Sequence, residues 1–236
     1  MNTGEFITFG PVHLITLGLI LFTALVLSGI ARLERFRNYV PKIRYSLAGL
    51  LLANEFIYVV GLMIKGVWTY KWGLPLQICD LAIFAVAYCL IKHIAFIWEI
   101  AYFWGLSGTL QALLTPDLKV SFPNYIYIKF FLTHGLIVIS IIFLAVGLGR
   151  PIFFESLKRV FWVTNAYALF IGLFDWCFGC NYLYLCHKPT QPSLLDYMGP
   201  WPYYWVGGEL MFIASLFIYY APFYLVKKKR GVRSIR

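Results

Sequence analysis

Charge is scarce in this chain. Asp, Glu, Lys and Arg make up 13% of its 236 residues, about half the share usual in a soluble globular domain. A soluble domain of this length has a large surface to cover, and there are too few polar residues here to cover it. Glycine-rich phosphate loops are also missing: no Walker or dinucleotide motif occurs, which sets nucleotide-driven chemistry aside. No internal repeat and no low-complexity linker interrupts the chain. A single membrane domain over residues 1–236 is therefore expected. Residues 1–10 lack a basic segment, and the first apolar run lacks a small-residue cleavage site, so the first helix is expected to stay. Acidic residues number ten against twenty basic ones, for a net charge of +10. Such a balance would suit nucleic acid, but the basic residues sit between apolar runs, as they do in cytoplasmic loops of membrane proteins. No nucleic acid, soluble protein partner, metal or other cofactor is implied.

Apolar residues are what the chain has in abundance. They reach 61%, and aromatics 19%, with 17 Tyr and 8 Trp. Tyr and Trp collect at membrane interfaces. Seven apolar runs approach the roughly 20 residues that span a bilayer. They cover about 11–31, 44–64, 75–91, 94–114, 125–148, 160–178 and 203–226. The expected fold is thus all-α and polytopic, with seven transmembrane helices. Fifteen Lys and Arg fall in the loops after the first, third and fifth spans and in the tail. Five (Lys65, Lys71, Lys119, Lys129 and Lys188) fall on the other side. The positive-inside rule then puts the N-terminus outside and the C-terminus in the cytoplasm. The basic tail from Lys227 to Arg236 is expected to meet anionic headgroups. In the fourth span Ala101, Gly105, Gly108 and Ala112 form a small-residue stripe, which lets helix backbones approach closely in lipid.

Ionisable and amide groups inside spans are costly and mark function. With this orientation Glu55, Gln77, Cys79, Asp80, Gln111, His134, Asp175, Asn181 and Glu209 all fall within about 15 Å of the outer surface. The inner halves read as nearly pure hydrocarbon. That pattern predicts a pocket open to the outer leaflet rather than a channel; for any one of these residues, a helix–helix hydrogen bond is the competing explanation. Cys79 and His134 can do chemistry. Cys79 lies near the start of a span beginning at Pro75, where the helix dipole favours a thiolate. His134 is at similar depth, and a neutral imidazole serves as a base. Glu55, Asp175 or Glu209 can orient it, as triads require. A cysteine in a span can equally be a small apolar filler. Cys177, Cys180 and Cys186, followed by His187, have metal-like spacing, but a disulfide or free thiols fit an outer-surface segment at least as well. His13 and His93 lie near span ends, where hydration is expected.

Several stretches resemble the YwaF-like family of bacterial integral membrane proteins. They are Leu74-Pro75-Leu76-Gln77-Ile78-Cys79-Asp80, the run from Gly105 to Asp117, Thr133-His134-Gly135, Asn181 to Leu185, and Gly199 to Tyr204. The motifs occur in order. That family is related to eukaryotic transmembrane protein 164, regarded as a cysteine-dependent acyltransferase acting on ether phospholipids. The resemblance implies a multi-pass protein of the bacterial cytoplasmic membrane. It also implies Cys79 as nucleophile and His134 as its partner. Gln77 stands where many relatives carry histidine. The combined expectation is a membrane acyltransferase or acyl hydrolase acting on phospholipid or lysophospholipid, with membrane lipids as its partners. Gln77, Gln111 or Asn181 would donate to the oxyanion, and the aromatic segment 197–205 would cover the pocket. The rival expectation is a small-solute carrier, receptor-like sensor or accessory membrane protein. No inverted repeat or pair of broken helices supports a carrier.

Overall fold

A computed structural model describes residues 4–189 and 194–233. Among them are seven α-helices. In chain order they are α1 (Pro11–Arg32), α2 (Val40–Ile64), α3 (Ile78–Ile91), α4 (Ala95–Leu114), α5 (Tyr125–Ile142), α6 (Phe154–Phe178) and α7 (Tyr204–Arg233). Five of them, α1, α2, α5, α6 and α7, are long and apolar enough to cross a membrane. α3 has 14 residues, and α4 has the length but not the apolarity. The chain divides into two compact units. Unit 1 holds residues 1–69 and 77–150, with α1 to α5; unit 2 holds residues 70–76 and 151–236, with α6 and α7.

Local chemistry explains where the helices begin and end. Pro11 sits in the first turn of α1, where its missing N–H costs nothing. Asn124 caps α5 by accepting from the Ile126 amide at 2.9 Å. α6 stops at Gly179, whose φ of 63° is the left-handed conformation that glycine tolerates best. α5 closes with a single π turn, Phe143–Gly147. Three starts differ from the sequence reading. α2 begins four residues earlier, at Val40, and α6 begins at Phe154 because its first turns carry Glu155, Lys158 and Arg159, which an apolar window rejects. α3 begins later, at Ile78, so Pro75 precedes the helix and lies in unit 2.

Unit 1 packs around α5, which touches α1, α2, α3 and α4. Ile137, Ile141 and Leu144 of α5 and its π turn are buried, as are Trp98, Phe103 and Leu106 of α4. The small-residue stripe accounts for the close approach: a Cβ on Gly105 would lie 2.5 Å from Ile141 Cδ1. Gly108, on the same stripe, has room, with the Cys79 Cβ at 4.0 Å as its nearest neighbour. His13 does not hydrate at a span end. It is fully buried, accepting from the Phe9 amide at Nδ1 (2.9 Å) and donating from Nε2 to Leu113 O (2.8 Å). It thereby ties the start of α1 to the end of α4. The other end of unit 1 is not pure hydrocarbon either. Glu99 and Arg150 are buried there, Arg150 with its guanidinium 5.9 Å from the centre of the Trp98 ring.

Unit 2 is organised by Tyr182, which packs with Ile171 and Cys180. Its hydroxyl accepts from the Leu74 amide (3.0 Å) and donates to Tyr70 O (2.7 Å). Tyr167 donates to Leu76 O at 2.7 Å. These bonds hold the turns of residues 70–76 against α6 and the loop that follows it.

Candidate functional site

In unit 1, α2, α3 and α5 bring charged and reactive side chains together. Glu55 on α2 pairs with Lys129 on α5 at 3.4 Å, both largely buried. Lys129 also sits 3.9 Å from the centre of the Tyr58 ring, a cation–π contact. Lys129 lies within electrostatic range of Asp80, Cys79 and His134. One residue before Glu55, Asn54 donates to Thr133 Oγ1 at 2.7 Å, and Thr133 donates to Lys129 O at 2.9 Å. The result is a polar ladder between α2 and α5, joined from α3 by Cys79 and Asp80.

Cys79 is the second residue of α3, closer to the helix start than the sequence reading had it. There the first amides lack intrahelical partners and the dipole is positive. The thiol is half-buried. Its Sγ–H donates to Asp80 Oδ1 at 3.8 Å. Gly108 of α4 is its neighbour: a Cβ there would stand 4.0 Å from the Cys79 Cβ, at van der Waals contact. His134 Nδ1 hydrogen-bonds Phe130 O at 2.8 Å. A carbonyl only accepts, so Nδ1 carries the proton and Nε2 is left as the basic nitrogen. No hydrogen bond joins Cys79 to His134: the thiol turns to Asp80 and the imidazole to its own helix. Gln77 caps α3, its carbonyl accepting from the Asp80 and Leu81 amides at 3.1 Å. The Gln111 side chain is exposed.

Unit 2 contains the other three residues singled out in the sequence. Asp175 is 1% exposed, and neither of its carboxyl oxygens is hydrogen-bonded. Asn181 is occupied by its own loop: Oδ1 accepts from the Cys186 and His187 amides, and Nδ2 donates to His187 O at 2.8 Å. Such an amide is a loop clamp with nothing left for an oxyanion. Glu209 on α7 accepts from Asn165 Nδ2 on α6 at 3.0 Å. Cys177, Cys180 and Cys186 are all free thiols. Burial, with the Asp175 charge adding to it, pushes the Cys180 and Cys186 thiols up, so both stay protonated near neutrality. No group of three metal-ligating side chains occurs among the described residues.

Sequence reasoning missed Asn54, Lys129, Thr133 and Asn165. Lys129 was counted as a loop cation, although it falls five residues into the fifth span. The signal was available: Glu55 inside a span needs a counter-charge, and Lys129 was a cation inside another.

No curated protein and no solved structure matches this chain. The TMEM164 family model matches residues 8–220. With its apolar membrane-crossing helices, the chain belongs to the TMEM164 family, a family of membrane proteins.

Proposed function

We propose that this protein is a membrane-embedded acyltransferase or acyl hydrolase that acts on phospholipid or lysophospholipid through Cys79. In this reading all seven helices cross the bacterial cytoplasmic membrane, with the N-terminus outside and the C-terminus in the cytoplasm. The observation that carries the reading is the setting of the Cys79 thiol. It stands at a helix start, with a carboxylate as hydrogen-bond acceptor, a glycine, Gly108, as its neighbour on α4 and a cation in range.

The chemistry follows from those neighbours. Cys79 Sγ attacks the ester carbonyl carbon while its proton passes to Asp80. The oxyanion that forms is met by the first amides of α3 and by the Lys129 charge. The carbon–oxygen bond then breaks, and the leaving lysophospholipid alkoxide takes the proton back from Asp80. The acyl group is left as a thioester on Cys79. A hydroxyl acceptor, either a lysophospholipid or water, attacks that thioester and gives its proton to His134 Nε2. The departing thiolate is reprotonated from the same imidazole. Glu55 holds Lys129 in place, so it is a positioning residue.

A second reading, a carrier or sensor pocket with no covalent step, draws on the missing bond between Cys79 and His134. Purified protein in phospholipid vesicles separates the two. Turnover of an acyl-labelled phospholipid, lost in Cys79→Ala and reduced in Asp80→Asn and His134→Gln, supports the enzyme. Undiminished turnover in Cys79→Ala rules out this mechanism. Absent turnover with solute binding unaffected by Cys79→Ala favours the carrier.

A further inference from the structure

We infer that unit 2 carries a separate binding site for a single-chain amphiphile with an ammonium head, in a groove between α6 and α7. The inference does not depend on Cys79 chemistry.

The groove encloses about 880 Å³, within the roughly 300–1,000 Å³ of small-molecule pockets. Its walls are apolar, with Leu169, Leu173 and Trp176 from α6. Gly172 opens the α6 wall: a Cβ there would meet only Leu185 Cδ1, at 3.6 Å. The rim is fixed rather than loose. Trp201 and Trp205 both donate their indole N–H to the Leu185 carbonyl, at 3.3 and 3.0 Å. Their rings stand edge to face with centroids 5.9 Å apart.

Among the described residues one charged group lines this groove, the Glu209 carboxylate. Asn165 donates to its Oε1 at 3.0 Å and is itself anchored on Phe161 O at 3.1 Å. Oε2 is left without a hydrogen-bond partner among the described residues. No Lys, Arg or His is among the described residues that line the groove. Lys188, 5.7 Å from the ring centre of the lining residue Tyr204, is already paired with Asp196 at 3.9 Å. A carboxylate in an apolar groove calls for a cation, and indole faces add to the attraction for ammonium. A phosphate would find no positive partner among the lining residues. An alcohol would leave the carboxylate charge unanswered. Charge complementarity therefore selects an alkylammonium whose chain lies along Leu169, Gly172 and Leu173.

The test uses the full chain in phosphatidylglycerol vesicles and three probes with the same diazirine-bearing chain: hexadecylamine, hexadecanol and hexadecyl phosphate. Labelling is mapped by peptide mass spectrometry, with the exposed face of α1 (Leu19, Phe22) as internal control. The amine is expected to label residues 169–176 about tenfold more than the other two, the worth of one charge-assisted hydrogen bond. Glu209→Gln should abolish that preference, and Gly172→Leu should block all three probes while α1 labelling holds. Equal labelling by the three probes, or a preference that survives Glu209→Gln, overturns the inference. Labelling of α1 without labelling of 169–176 also overturns it, since the groove is then covered by something other than an amphiphile.

Discussion

Removing the Lys129 charge tests the polar ladder of unit 1 most sharply. At 3.4 Å and an effective dielectric of about 20, the Glu55–Lys129 attraction is about 5 kcal/mol before desolvation. Desolvation offsets much of this, so the intact pair contributes little net stability. Breaking it is a different matter. Lys129→Met leaves Glu55 buried without its cation, and Asp80 loses the same neighbour. A stranded buried charge costs about 3–5 kcal/mol. Glu55→Gln leaves Lys129 with Asp80 in range, so it should cost less, about 1–3 kcal/mol. The double variant removes both charges and should recover about 1–3 kcal/mol relative to the sum of the singles. Unfolding in mixed micelles titrated with sodium dodecyl sulfate, followed by intrinsic fluorescence, reads all four corners of the cycle. Additivity within about 0.5 kcal/mol would refute the reasoning, because independent sites behave that way.

Other consequences concern packing and the loop clamp. Gly105→Ala should destabilise unit 1 by about 1–3 kcal/mol, since its Cβ meets Ile141 at 2.5 Å. Gly108→Ala should leave thermal stability nearly unchanged yet slow alkylation of Cys79 by maleimide, because the added methyl comes to 4.0 Å from the Cys79 Cβ. Tyr182→Phe removes one hydroxyl serving two backbone groups and should cost about 1–3 kcal/mol. Hydrogen exchange should show the loss at residues 70–76 rather than along α7.

Most of the helical content could be read from the sequence, because long apolar runs carry a strong signal. The charged first turns of α6 and the basic approach to α2 hid their true starts, since an apolar window ends where charge begins. The start of α3 was invisible for another reason. Residues 70–76 are held in turns by Tyr167 and Tyr182, about a hundred positions away, and no local pattern announces such bonds. The sequence reading had Glu55, Cys79 and Asp80 within one set of nine polar groups at a common depth. Their cation was left out of it, because a rule that counts charges by loop treats Lys129 as orientation evidence and not as a partner. Cys79 and His134, paired in the sequence reading as nucleophile and base, share no hydrogen bond, for a geometric reason. A histidine four residues after a helix carbonyl can satisfy itself locally, as His134 does on Phe130. Asn181 likewise serves its own loop, which a polar-depth argument cannot foresee.

The most direct test of the account is the intact mass of the purified protein after exposure to an acyl phospholipid, with and without hydroxylamine, for wild type, Cys79→Ala and Asp80→Asn. The account predicts one acyl adduct on wild type that hydroxylamine removes, none on Cys79→Ala, and slower formation on Asp80→Asn. An adduct of equal yield on Cys79→Ala would contradict it. So would a wild-type thiol that forms no adduct across several lipids and also resists alkylation, because Cys79 would then be packing and not chemistry.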